Sequence, residues 1–314
     1  MNSASKQIIF IVGPTAVGKS KIAIALAKKI KGEIVSADSM LIYKNMDIGT
    51  DKPSKSDLKG VKHHMINVTS PQNNYSVFSY FSAAKKSIAD ILKRKRIPII
   101  CGGTGLYIQT LLRGIDRLPS ADLRLRSSLE KEAHDLGVNA VYERLQKMDA
   151  EAAKRIHPNN LKRVIRAIEV AKAKSDNVRH LRGVIEMGFK VSVFGVTADR
   201  LEVYDRINRR VDLMFKRGLL GECRKLFKTR LSETAKQAIG YKQVFAHIRG
   251  ECELNEALEE VKLVTRHFAK RQWTWFRREP LIQWITIPSK NTPNSGVQQI
   301  LALLEEGTSS LRNS

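Results

Sequence analysis

The stretch Gly13-Pro14-Thr15-Ala16-Val17-Gly18-Lys19-Ser20 decides how the rest of the chain is read. It satisfies G-x-x-x-x-G-K-[ST] at every fixed position. An apolar run over residues 8–12 leads in, and the helical spacing of Ile22, Leu26 and Ile30 leads out. The order is strand, glycine loop, helix. Two glycines let successive amides turn inward, and the helix N-terminus adds partial positive charge. Lys19 adds a full charge, and the Ser20 hydroxyl is a ligand for Mg²⁺. Such a loop holds a diphosphate or triphosphate without saying which.

Composition narrows the partner. The chain has 314 residues, enough for one large domain and a smaller one, and its net charge of +24 is far from ordinary. A polyanion is the expected partner. No apolar run approaches the roughly 18 residues that span a bilayer, and the polar opening segment does not read as a signal peptide, so a cytoplasmic protein without membrane association is expected. A monomer is the default. Cys101, Cys223 and Cys252 form no C-x-x-C pair, which removes zinc clusters and disulfide frameworks from consideration.

Residues 33–37 read as a second strand, and Asp38 falls at its end. In open parallel sheets ligand chemistry gathers outside the carboxyl ends of strands, so Asp38 is expected to face the same crevice as the phosphate loop. Three roles fit it: general base, helix N-cap, or Mg²⁺ ligand through water. His63-His64 read as hydrogen-bonding or packing residues in preference to metal ligands. Residues 76–93 carry a helical face. A third strand, 97–101, stops at Gly102-Gly103-Thr104-Gly105, where a nucleotide-hydrolysing enzyme usually has an aspartate for Mg²⁺. Its absence argues against an ATPase, and the glycines admit a second ligand or simply a tight turn.

From Gly114 onward the pattern is helical and charged, over 123–136, 141–148, 150–156 and 161–173. Lys162, Arg163 and Arg166 share one turn and suit either phosphates or solvent. Strand character returns over 190–196. The helix after Asp199 places Arg206 and Arg210 on one face, where an arginine pair would stabilise a diphosphate leaving group. Residues 237–242 read as a loop, and 261–278 as one helix projecting Arg266, Lys270, Trp273 and Arg277 from one side. Basic groups interleaved with Trp273, Trp275 and Phe276 suit unstacked RNA bases, although each ring could equally be a core anchor. A last helix over 297–305 and a frayed end complete the chain.

The expected fold is therefore α/β. A P-loop NTPase-like parallel sheet core flanked by helices covers 1–114 and 186–314, with C-terminal RNA-binding helices. An all-helical insertion domain covers 115–185.

The stretches GPTAVGKS from Gly13, SADSMLIY from Ser36, MDIGTDKP from Met46, GGTGLY from Gly102, RAIEV from Arg166, QAIGYK from Gln237 and TRHFAKRQWTWF from Thr265 together resemble the bacterial tRNA dimethylallyltransferase family. The resemblance implies transfer of a dimethylallyl group from dimethylallyl diphosphate to N6 of the adenosine immediately 3′ of the anticodon, with Mg²⁺ as cofactor and the anticodon stem-loop of tRNA as partner. It implies Asp38 as general base, Thr15 beside the reacting centre, and Arg210, with Arg206 as runner-up, on the diphosphate. It further implies tRNA contacts at Asp38, Ser39, Met40, Leu41, Thr104, Arg126, Lys162, Arg163, Val164, Ile165, Arg166, Gln237, Ala238, Ile239, Gly240, Tyr241 and Lys242, to which the basic face of the long C-terminal helix adds Lys270 as a candidate phosphate contact. In the stretch 174–183 the Gly-Lys-Pro-rich loop common in relatives is shortened. The competing readings are an ATP-dependent small-molecule or nucleoside kinase, and a non-catalytic RNA-binding module. A guanine-reading N-K-x-D string is absent.

Overall fold

The computed structural model describes residues 7–54, 56–58, 60–118, 121–172, 179–288 and 293–309. The shortened stretch at 174–178 and the end from 310 lie outside them. Contacts divide the chain into two compact units, Met1–Gly114 with Arg182–Ser314, and Ile115–Leu181.

The first unit opens with β1 (Gln7–Val12), α1 (Lys19–Ile30), β2 (Gly32–Ser36), β3 (His63–His64), α2 (Val77–Lys93), β4 (Ile97–Gly102) and α3 (Gly105–Arg113). The second unit holds β5 (Ile115–Asp116), α4 (Leu123–Leu136), α5 (Val138–Met148), α6 (Ala150–Lys154), α7 (Leu161–Lys172) and β6 (His180–Leu181). The chain then returns to the first unit with β7 (Lys190–Thr197), α8 (Arg200–Lys216), α9 (Leu219–Phe227), α10 (Glu233–Lys236), α11 (Tyr241–Ile248), α12 (Leu254–Phe276), β8 (Ile282–Thr286) and α13 (Pro293–Ser309).

Six strands form one sheet in the order β3-β2-β4-β1-β7-β8, with every pairing parallel. A parallel sheet is covered on both faces, which is why β1 reads as a continuous apolar run: Ile8 to Val12 are wholly buried. Helix α12 presents a stripe of Ala257, Val261, Thr265, Ala269, Gln272, Trp273 and Phe276 at steps of three and four, and that stripe is its buried face. Trp273 joins the core and donates from Nε1 to Thr197 Oγ1 at 3.1 Å. The expectation of an RNA-stacking ring there is corrected, because an indole inside the core is not available to a base. Phe276 is likewise buried, whereas Trp275 is exposed.

Several boundaries differ from the sequence reading, three of them near the cleft or between the units. Helix α12 begins seven residues before 261, at a capping box of Glu253 and Glu256. Tyr241 and Lys242 start α11 instead of lying in a loop, since Gly240, with φ of 92°, turns the chain into that helix. Residues 182–185 belong to the sheet unit: the amides of Val184 and Ile185 bond to the carbonyls of Leu111 and Leu112, so the helical unit ends at 181 instead of 185. Strand β8 had no distinct signal, being five residues of which only Ile282 and Ile285, three positions apart, are buried.

The helical unit has its own core of Leu129, Val141, Leu145, Val164, Ile165 and Ile168. Asp122 caps α4 by accepting from the Leu125 amide at 3.0 Å. Glu169, 3% exposed, accepts from Arg126 Nε at 2.7 Å, Arg166 Nη1 at 3.0 Å and the Asp122 amide at 2.9 Å, binding α4 to α7.

At the amino ends of the strands, Glu33 ties three elements together. Its carboxylate takes Arg94 at 2.7 Å, just past α2, and His64 of β3 at 2.7 Å. Burial alone would raise this carboxyl, but hydrogen bonds from Arg94 and His64 outweigh it and hold it at about 2, below its ordinary 4.5. A depressed carboxyl stabilises the fold fully above pH 4.5 and loses that contribution as pH falls towards 2. Glu33→Gln is expected to cost about 1–3 kcal/mol at pH 7, the range for a broken charged hydrogen bond. Urea melts of both proteins should show the difference shrinking below pH 4.5. An equal difference at every pH would contradict this account.

Candidate active site

The loop after β1 is shaped by two close approaches. A Cβ on Gly13 would lie 2.3 Å from the Val196 carbonyl oxygen, and a Cβ on Gly102 would lie 2.2 Å from that of Ala37. Neither position accepts a side chain, so the ends of β1 and β4 pack directly on backbone. An aspartate at 102, the usual Mg²⁺ holder of nucleotide hydrolases, has no room. Ala16 with φ of 62° and Gly18 with φ of 99° curl the loop into the first turn of α1. Lys19 folds back within it and donates to the Pro14 carbonyl. Burial lowers the Lys19 ammonium from 10.5 to about 8, opposed by its attraction to Cys101 and Asp38. Ser20, the next residue, is exposed.

Facing the loop is α8. Arg210 donates from Nη2 to Thr15 Oγ1 at 2.9 Å, and its Nη1 lies 3.6 Å from Asp51 Oδ2. Its Nε is buried and has no hydrogen-bond partner among the described residues. Burial depresses the guanidinium, and the carboxylates of Asp51 and Asp38 resist that shift. An unsatisfied buried N–H on a cation is costly, and an anion in the cleft relieves it. Arg206 lines the same cleft but pairs with Glu202 at 3.4 Å.

Across the cleft, Asp38 Oδ1 accepts from the amides of Met40 at 2.8 Å and Leu41 at 3.3 Å. One carboxylate oxygen is thereby spent on the turn, and the other has no partner among the described residues. Thr104 Oγ1 accepts from the Ser39 amide at 3.0 Å, which binds this turn to the end of β4. The cleft has a volume of about 780 Å³, room for a small diphosphate together with a base.

Of the residues singled out in the sequence, Thr15 to Ser20, Asp38 to Leu41, Thr104, Arg206, Arg210 and Gln237 to Ile239 all line this one cleft. Gly13 and Pro14 contribute backbone beneath it. Tyr241 does not reach it: its ring is buried, and its hydroxyl donates to Glu222 Oε1 at 2.6 Å. A tRNA contact by the Tyr241 side chain is corrected on that ground. Val164 and Ile165 are corrected likewise, as their side chains sit in the core of the helical unit. Lys162, Arg163, Lys242 and Lys270 are exposed, Gly240 is buried, and Arg126 and Arg166 share Glu169.

Three contributors escaped the sequence reading. Glu222 of α9 accepts from the amides of Asp47, Ile48 and Gly49 at 2.9, 2.9 and 3.1 Å, fixing the loop that carries Asp51. Asp51 faces Arg210, with Arg217 at 4.0 Å. Gln272 of α12 touches both the loop after β1 and the turn after β4. A turn-rich string was the only signal for Asp51, and a glutamine or glutamate within a helix carries none.

Among the described residues no group of three or more His, Cys, Asp or Glu side chains is placed to hold a metal. No helix among them is long and apolar enough to cross a membrane.

Comparison with known proteins agrees with this architecture. The IPP transferase family matches residues 41–279. A tRNA dimethylallyltransferase of Alkaliphilus oremlandii is 42% identical over 301 residues, covering 94% of this chain and 96% of the relative. The full-length tRNA isopentenylpyrophosphate transferase of Bacillus halodurans superposes with a TM-score of 0.73 at 36% identity, covering 98% of this chain and 100% of that one. A eukaryotic dimethylallyltransferase acting on tRNA gives 0.78 at 26% identity, over 97% of this chain and 80% of that one. With a family match over most of its length and relatives aligned nearly end to end, the chain belongs to the IPP transferase family, the tRNA dimethylallyltransferases.

Proposed function

We propose that the protein transfers a dimethylallyl group from dimethylallyl diphosphate to N6 of the adenosine immediately 3′ of the anticodon in tRNA. The observation that carries this reading is Arg210, a half-buried cation whose Nε is buried and unpartnered among the described residues, held against Thr15 above the P-loop and opposite the Asp38 carboxylate. That is a seat for an anionic leaving group facing a base.

The chemistry has two demands. An exocyclic adenine amine is a weak nucleophile, and a carbon–oxygen bond to diphosphate must break. As the bond from N6 to the prenyl C1 forms, the C1–O bond breaks. The oxygen keeps the electron pair, and the N6 proton passes to Asp38 Oδ2. The two backbone amides on Oδ1 aim that oxygen. Lys19, Arg210 and the loop amides receive the charge that develops on the diphosphate. Mg²⁺ would be held by Ser20 and the diphosphate oxygens, and supplies further charge there when bound. Thr15 stands between Arg210 and the reacting carbon. The base must leave its stack, which costs a few kcal/mol and least in a single-stranded loop. The net charge of +24 and the exposed Lys270, Arg271 and Arg277 on α12 and just past it suit the phosphates of an anticodon stem-loop. In this reading the enzyme acts as a cytoplasmic monomer.

The direct test incubates the protein with unmodified tRNA and either labelled dimethylallyl diphosphate or γ-labelled ATP. Label from the prenyl donor alone should reach RNA, at one adenosine per molecule. Transfer from ATP would favour a kinase. Asp38→Ala should bind tRNA normally in a filter assay yet lose about 10²–10⁴ in single-turnover rate, the usual contribution of a positioned base.

Arg210→Ala should lower transfer by about 10²–10³, as loss of one preorganised donor to a developing anion does. Arg206→Ala, already paired with Glu202, should change it less than about threefold. The reverse ranking in donor titrations would reassign the diphosphate contact.

Lys19 sets a pH window. Its folded-state value of about 8 lies below the ordinary 10.5, so a diphosphate finds it charged below pH 8 and increasingly neutral above. Donor affinity by calorimetry should hold up to that pH and then fall as it rises, while the ligand-free protein gains stability between about 8 and 10.5. Lys19→Met should abolish both trends. A donor affinity that rises above pH 8 would contradict the assignment.

A further inference from the structure

Gln272 is 6% exposed, and both ends of its carboxamide are engaged. Its Oε1 accepts from the Thr15 amide at 2.8 Å, and its Nε2 donates to the Gly103 carbonyl at 2.8 Å. These partners fix the orientation of the amide, because a flipped group would set donor against donor and acceptor against acceptor. A buried carboxamide is stable only while both ends stay satisfied, so the two contacts hold each other in place.

The two loops it joins serve opposite sides of the cleft. Thr15 leads to the leaving-group side, since its hydroxyl accepts from Arg210. Gly103 leads to the acceptor side, since the next residue, Thr104, accepts from the Ser39 amide beside Asp38. The Thr15 amide is turned towards α12 and away from the phosphate nest. A Cβ on Gly103 would come within 2.2 Å of Gln272 Nε2, so the glycine is required by this contact.

We propose that Gln272 is a positioning residue for transfer: it sets the spacing between the Thr15–Arg210 pair and the Asp38 turn, and touches neither substrate. The inference rests on the reading of Thr15 and Arg210 as leaving-group residues. Misplacing a reacting group by about 1 Å costs on the order of 10²-fold in rate, so a brace between the two sides acts on the chemical step and leaves RNA affinity alone.

Gln272→Met keeps the volume and removes both hydrogen bonds. Its single-turnover rate at saturating donor should fall about 10- to 100-fold, with the tRNA dissociation constant within about twofold of the parent. The loss should come through Thr15. In a Thr15→Ala background the same substitution is expected to cost about threefold or less, a coupling that a general folding defect does not produce. Gly103→Ala leaves Gln272 in the chain but drives Nε2 away, and should reproduce the rate loss at unchanged tRNA affinity. A Gln272→Met loss that matches the fraction unfolded in its melting curve overturns the proposal. So does full additivity with Thr15→Ala, or a wild-type rate for Gly103→Ala. Absence of transfer by the parent protein would instead sink the proposed function, a result these variants cannot mimic.

Discussion

Two cations stand beside the loop after β1, Lys19 buried and Arg210 half-buried, and much of the surrounding structure is arranged to tolerate them. Burying charge without a full counter-ion is costly, and both groups show it: the Lys19 ammonium drops to about 8 and the Arg210 guanidinium is also depressed. Partial compensation comes from the Pro14 carbonyl, the Thr15 hydroxyl and the carboxylate of Asp51. The remainder is a standing demand for an anion. In the proposed function a diphosphate would meet it, and would meet it better as charge grows on the leaving oxygen, so that the cost of burying these cations and the stabilisation of the transition state would have one origin.

Such a site must not collapse onto itself, and rigid supports on each side prevent this. Gly102 lets β4 lie against the Ala37 backbone. Gln272 spans from Thr15 to Gly103. Glu222 gathers three consecutive amides of the loop that carries Asp51, occupying with a carboxylate a nest that would otherwise attract one from solvent. The polar side chains of α12 and α9 therefore reach towards the cleft as braces. Their parent helices are anchored by apolar stripes in two different clusters.

Helix α12 illustrates how a pattern can mislead. Arg266, Lys270, Trp273 and Arg277 follow steps of four, three and four, which on a helix means a shared side. Side chains at those steps nevertheless diverge. Trp273 enters the core, Lys270 and Arg277 stay in water, and Arg266 Nη1 donates to Asn208 at 2.7 Å. The buried stripe and the basic stripe are adjacent on the same cylinder. A shift of about a third of a turn decides whether an aromatic ring meets RNA or the sheet. Charge and periodicity fixed the existence of both stripes; the packing partner fixed the border between them.

The sequence by itself determined the strand, glycine loop and helix, the parallel core, the helical insertion, and the gathering of Thr15, Lys19, Asp38 and Thr104 at strand ends. These follow from local rules: motif spacing, apolar periodicity, and the emergence of loops at the carboxyl ends of parallel strands. Tertiary structure alone decided that Arg210 and not Arg206 turns to Thr15, that Tyr241, Val164 and Ile165 are buried, and that Gln272 and Glu222 serve the cleft. Each of these is a contact between residues far apart in the chain, 257 positions for Thr15 and Gln272. A residue's type and spacing state what it can bond to, and only the packing of distant elements states what it meets.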